Sequence, residues 1–205
     1  MQDLFGDVPA PQPRARKPQA PVARPTHTWF FALRPDAADA TRIDGVASQL
    51  LASHGVSGKR VGPERLHVSL DAVGHDVDEA TVNAACLAAS TVRLPAFAVR
   101  FDAAASFASP GNPFVLLGDA GLEAVRHLRF TLGCAMADQG FAPARSYEPH
   151  MTLSYDPRQR VARTPVAPVV FRATGFSLVK SHIGFSRHEV LRTWPLAGGS
   201  GGAGG

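Results

Sequence analysis

His67-Val68-Ser69-Leu70 and, 83 residues further on, His150-Met151-Thr152-Leu153 repeat one pattern of imidazole, apolar side chain, hydroxyl, apolar side chain. Side chains along an extended strand alternate between its two faces. His67 and Ser69 therefore share one face, with Val68 and Leu70 on the other. His150 and Thr152 are set against Met151 and Leu153 in the same way. Both stretches read as half-buried strands, apolar toward a core and polar toward an opening.

Each run closes a matching unit. Upstream of the first, the aromatic strand Thr28 to Leu33 stops at Arg34-Pro35-Asp36. A helix follows, marked by Ile43, Val46, Ala47, Leu50 and Leu51 on one face and by Gly55 as its C-terminal cap. The alternating strand then spans Arg65 to Leu70. Upstream of the second, Phe114 to Leu117 reads as a strand, Asp119 as a helix cap, and Leu122, Val125, Leu128, Leu132 and Met136 as a helical stripe ending near Gly140. The strand Pro149 to Tyr155 closes this unit. Phe30 to His67 is 37 residues and Phe114 to His150 is 36. Two strand-helix-strand units of such similar length imply an internal duplication with approximate twofold symmetry.

Between the units, Asp78 to Ser90 reads as a helix and Phe97 to Phe101 as a strand. After them, Val169 to Phe171, Phe176 to Val179 and Val190 to Leu196 read as further strands. The expected class is α+β, with helices covering one side of the strands.

The 205 residues divide into three parts, and their 45% apolar content is ordinary for a globular chain. Residues 1–26, rich in proline and arginine, read as a disordered tail, and residues 197–205, almost all glycine, as another. Residues 27–196 read as one bilobal domain. The net charge of +4 splits evenly, because four basic residues against Asp3 and Asp7 leave +2 in the first tail. A broad duplex-binding surface has little support from the remaining +2. A local cleft for a small anion needs none. No apolar run reaches the length of a membrane span, so a cytoplasmic location and no membrane partner are expected. Cys86 and Cys134 fall in helical apolar patterns and read as two buried reduced thiols.

Bringing the two runs together would place two imidazoles and two hydroxyls around one cleft, which is an acid-base site for phosphate. One neutral ring can take a proton from water while a protonated ring gives one to a departing sugar oxygen. Each such transfer contributes about 10² to 10⁴ in rate. Hydroxyls donating to non-bridging phosphate oxygens add roughly 1.5 to 3 kcal/mol each.

On these residues the chain resembles the two-histidine phosphoesterase superfamily, especially the bacterial RNA 2′,3′-cyclic phosphodiesterases once called 2′-5′ RNA ligases. The resemblance runs over roughly residues 28 to 196. It is carried by the two histidine runs, by Gly62-Pro63-Glu64-Arg65-Leu66 ahead of the first, and near the end by Phe176 to Ser181 and Arg192-Thr193-Trp194-Pro195-Leu196. It implies two pseudo-symmetric lobes whose antiparallel sheets form a central cleft with helices outside, no cofactor and no metal. It makes His150 the proton acceptor that activates water, His67 the proton donor to the leaving 3′ oxygen, and Ser69 and Thr152 the phosphate-binding hydroxyls. The implied partners are RNA ends or nucleotides bearing a cyclic phosphate, the implied product is a 2′-phosphomonoester, and a monomer is expected. Serine stands in the first run where the family commonly has threonine. Asp71-Ala72-Val73-Gly74 departs from the family's more basic, aromatic continuation.

Three functions fit this reading: hydrolysis of cyclic-phosphate RNA ends, 2′-5′ ligation or hydrolysis of a small cyclic phosphate by the same chemistry, and RNA binding without turnover. Arg145, Tyr147 and Tyr155 flank the second run and are candidates to touch phosphate or stack on a base. His182 and His188 match no compact metal-ligand spacing. His27, His54, His75 and His127 are expected to be solvated.

Overall fold

The computed structural model describes residues 24–142 and 146–197. Most of the proline-rich tail, the glycine-rich end from 198 and Arg145 lie outside the described residues. The chain folds into three helices and nine strands among them. In order they are β1 (His27–Leu33), α1 (Ala37–Ser53), β2 (Lys59–Arg60), β3 (Val68–His75), α2 (Glu79–Thr91), β4 (Phe97–Ser106), β5 (Pro113–Leu117), α3 (Glu123–Asp138), β6 (Met151–Tyr155), β7 (Thr164–Ala173), β8 (Gly175–His182) and β9 (Arg187–Pro195).

Local chemistry accounts for the boundaries. Asp36 caps α1 by accepting the Asp39 N–H at 2.8 Å, and Asp78 caps α2 through the Thr81 N–H at 2.9 Å. Beyond α1, Gly55 takes φ +64°, a left-handed conformation that glycine adopts without steric cost. Asp119, read as the cap of α3, precedes a 3-10 turn at Ala120–Leu122, makes no capping bond, and pairs instead with Arg163 at 2.8 Å.

The first histidine strand starts later than its alternation suggests. Pro63, whose ring fixes φ at a value suited to a first helical position, opens a 3-10 turn over Pro63–Arg65. The ladder begins only at Val68. His67 and His150 thus occupy equivalent places, each on the residue just before its strand.

The sheet is antiparallel, in the order β7-β4-β5-β6-β3-β1-β8-β9, with β2 paired to β6. Its halves meet at β6 and β3, where one pair, Val68 with Met151, joins them. The units β1-α1-β3 and β5-α3-β6 take corresponding places about that pair, so the duplication read from spacing is present in the fold. Thr174 alone links β7, at one edge, to β8, beside the other edge. The sheet therefore curls into a half barrel. Ala197, assigned by its sequence to the glycine-rich tail, helps close it: it donates to Leu94 O at 2.9 Å and accepts from Ala96 N–H at 2.7 Å.

One face of the sheet carries the core. Val68, Leu70, Met151 and Leu153 pack with Ile43 of α1 and with Val125, Leu128 and Leu132 of α3. Phe31 of β1 meets Phe176 at 6.1 Å and Trp194 at 5.6 Å between ring centroids. Each such fully buried side chain contributes about 1.5 to 3 kcal/mol. The two cysteines are free, but only Cys86 is half-buried. Cys134 is exposed, a correction that follows from α3 burying Val125, Leu128, Leu132 and Met136, a stripe that position 134 misses. No helix among the described residues is long and apolar enough to cross a membrane.

Candidate active site

The pair Val68–Met151 sets the geometry of the site. In an antiparallel ladder, neighbours of a facing pair oppose one another crosswise. His67 comes opposite Thr152, and Ser69 opposite His150. Because Val68 and Met151 are fully buried in the core, all four polar side chains project from the other face. The two runs that the sequence set apart are thus brought together.

Both imidazoles are held by the same device. His67 Nδ1 lies 2.7 Å from the carbonyl oxygen of Arg65, and His150 Nδ1 lies 2.8 Å from that of Glu148. A carbonyl only accepts, so each Nδ1 carries the hydrogen and donates it two residues back along its own chain. That leaves Nε2 of each ring as the nitrogen that can exchange a proton with a ligand.

The motifs also brace each other. Lys59 and Arg60, ahead of the first motif, pair with Tyr155 and Ser154 of β6, and Val61 N–H donates to Leu153 O at 2.9 Å. Tyr147, ahead of the second motif, donates its hydroxyl to the carbonyl of Ser69 at 2.8 Å. Burial raises the Tyr147 phenol well above its ordinary pKa, which keeps it a donor. Its ring lies under the Arg129 guanidinium, 5.0 Å from the centroid. Tyr147 is therefore a brace for the first motif. Tyr155 is exposed beside β2.

Aromatic rings that the sequence did not assign to the site flank the two imidazoles. His188 of β9 meets His67 edge to face at 5.2 Å between centroids, and Phe30 of β1 lies 5.2 Å from His67 and 5.7 Å from His188. Three strand spacings separate β9 from β3 in the sheet order, so this contact requires the sheet to be concave on the site face. Phe107, between β4 and β5, packs edge-on against His150 at 4.8 Å. His182 pairs with Glu189 at 3.2 Å and His27 with Asp76 at 3.1 Å, and their rings touch at 4.8 Å. His27 is thus partnered and half-buried. His54 packs on Phe114 at 5.8 Å, whereas His75 and His127 are exposed.

Burial acts strongly on His67 and on its neighbour His188. Burial depresses its pKa to about 4, against the bond to the Arg65 carbonyl, which raises it, and with further lowering by the charges of His188, His150 and Arg34. The influence of His150 places the two imidazoles within electrostatic reach of each other. His188 is likewise lowered to about 4, first by burial and then by Arg65 and Arg34, with Glu64 opposing. A neutral His67 faces the cleft near pH 7 when no ligand is bound.

The family model of the 2′-5′ RNA ligase superfamily matches residues 35–183. The chain belongs to this superfamily of two-histidine phosphoesterases. No curated protein matches it. Among solved structures it is similar to E. coli LigT complexed with NADP+, at 24% identity and TM-score 0.67 over 84% of this chain and 99% of that one. It is also similar to LigT complexed with 3′-AMP, at 25% identity and TM-score 0.65 over 84% and 99%. TT0787 of Thermus thermophilus has 21% identity and TM-score 0.65 over the same shares. These likenesses establish the curled α+β fold. Membership in the superfamily makes the chain an enzyme of the phosphoesterase or ligase type.

Proposed function

We propose that this enzyme hydrolyses 2′,3′-cyclic phosphate ends of RNA or oligonucleotides to 2′-phosphomonoesters without a metal. The supporting observation is the Val68–Met151 pair, whose register sets His67 and Ser69 across from Thr152 and His150, with each imidazole fixed through Nδ1 to a carbonyl so that Nε2 is the working nitrogen.

In this reaction His150 Nε2 takes a proton from water as its oxygen attacks phosphorus. The bond from phosphorus to the 3′ oxygen breaks, and protonated His67 gives its proton to that oxygen. The Ser69 and Thr152 hydroxyls donate to the non-bridging oxygens, where charge is concentrated. The rings end with their protonation exchanged and reset through solvent. His67 is neutral in the free protein, so the substrate's own negative charge must draw a proton onto it. Nucleotide complexes of LigT, a protein of the same fold, with 3′-AMP and ATP agree with a nucleotide-sized ligand here. Ligation to a 2′-5′ linkage uses the same dyad, with a 5′ hydroxyl of a second RNA replacing water.

The test is product analysis on an RNA with a cyclic-phosphate end. A terminal 2′-monoester should form, and His67→Ala and His150→Ala should each lower turnover by about 10² to 10⁴. Joined strands as the main product would favour ligation. Binding without turnover by the unaltered enzyme, or full turnover by either variant, would refute the proposal.

A further inference from the structure

The two halves of the sheet offer different chemistry on the site face. Beyond His150, the β5 and β4 side carries Val115, Leu117, Ala103 and Ala105, a small buried apolar cluster. Beyond Ser69, the pairing register runs to Ala32 of β1, Ser177 of β8 and Thr193 of β9. This row is polar except for Ala32, whose small side chain leaves it low. Arg34 lies two residues past Ala32, and its charge reaches both His67 and His188.

The row ends in a cavity of roughly 550 Å³ whose lining includes Arg34, Arg172, Ser177, Thr193 and Asp36. Strands lie about 4.8 Å apart, so Ser177 is about 10 Å from Ser69 across β1. That is a short nucleotide reach.

We infer that this cavity is a second phosphate subsite, which takes a backbone phosphodiester of the polynucleotide whose cyclic end lies at His67 and His150. The inference rests on the proposed function for its first phosphate, and on separate residues for its second. Two guanidinium groups face one cavity, and such groups match phosphate oxygens with paired donors. Arg34 commits Nη2 to the carbonyl of Glu64 at 2.7 Å, which leaves most of its five donors available. Ser177 and Thr193 share one hydroxyl–hydroxyl bond of 2.8 Å. Of their two hydroxyl hydrogens one is used in that bond, and the other is left for an anion. The single carboxylate among the described lining residues, Asp36, accepts the Asp39 N–H to cap α1. With the apolar floor on the other side, the charged backbone leaves the catalytic cleft over β1, β8 and β9.

The experiment uses the full chain and two exposed positions, with Arg172→Glu and Thr193→Val as variants. Binding of a fluorescein-labelled hexaribonucleotide with hydroxyl ends is followed by anisotropy over a salt series, so that it reads the subsite without catalysis. Arg172→Glu should weaken binding about tenfold and reduce the slope of log affinity against log salt by about one. Thr193→Val should weaken it about threefold. In turnover, the preference for a cyclic-ended hexamer over a cyclic mononucleotide, as a ratio of kcat/KM, should fall about tenfold in Arg172→Glu. Unchanged hexamer affinity and salt slope in Arg172→Glu would overturn the subsite, as would equal losses on hexamer and mononucleotide. If the unaltered enzyme turns over neither substrate, the proposed function fails and the binding measurements alone decide the subsite.

Discussion

To act as the proposed proton donor, His67 must carry a proton once substrate is bound. In the free protein its pKa is held at about 4, so at pH 7 only about one ring in a thousand would carry the proton, at tenfold per pH unit. A cyclic phosphate brings one negative charge. At 4 Å and an effective dielectric of about 20, that charge is worth about 4 kcal/mol. At about 1.4 kcal/mol per unit, the bound ring should titrate about three units higher, near 7. The assay is NMR titration of the His67 ring in the His150→Ala variant, whose turnover should be too slow to consume the ligand, free and saturated with a 2′,3′-cyclic nucleotide. Removing His150 takes away one charge that lowers His67, so the free ring should start at or somewhat above about 4. By linkage, binding must take up a proton between the two values, and affinity should fall tenfold per pH unit across that window and level off above it. Calorimetry in buffers of different ionisation enthalpy gives the proton count independently. A bound ring still titrating below about 5 would refute the donor role, and a free ring near the ordinary histidine value of about 6.5 would refute the burial argument.

His188→Phe keeps a ring against His67 but removes a charge that lowers it. The free His67 pKa should rise, and NMR titration of the variant checks the direction. Tyr147→Phe removes the bond to the Ser69 carbonyl, which should cost about 0.5 to 1.5 kcal/mol in denaturant unfolding and lower kcat more than it raises KM, because the first motif loses its brace. Acid stability follows from the same two imidazoles. Their folded pKa values lie below the unfolded value of 6.5, so their contribution is complete above about 6.5 and is lost as pH falls through about 4. The Tm should drop over that window, and drop less in His67→Phe and His188→Phe. A Tm independent of pH across it would contradict the buried, neutral state of both rings.

The sequence and the fold agree where the relevant interactions are local or repeated. The spacing of His67 and His150 within matching units exposed the duplication, and alternation within each run predicted that imidazole and hydroxyl would share a face. The start of β3 was also within reach, since Pro63 two residues before Arg65 signals a turn, yet the alternation of Arg65 to Leu70 masked it. His188, Phe30 and Phe107 left no such trace. His188 reaches His67 only because the sheet curls, and curl depends on Thr174 bridging opposite sides of the sheet and on Ala197 pairing beside Leu94. No short-range pattern encodes such contacts. Tyr147 could be flagged by its nearness to the second motif, but its actual partner is the backbone of the first. Its structural role arises only where the two motifs lie side by side.

The strand order also bears on how the molecule is born. β1 and β3 leave the ribosome early, but β8 and β9, the neighbours that complete their half, come last. Until then β1 offers an open hydrogen-bonding edge, Phe31 waits for Phe176 and Trp194, and His67 waits for His188. A nascent chain thus holds both histidines well before it holds a finished cleft, and a ribosome stalled before Gly175 would display a sticky, inert precursor.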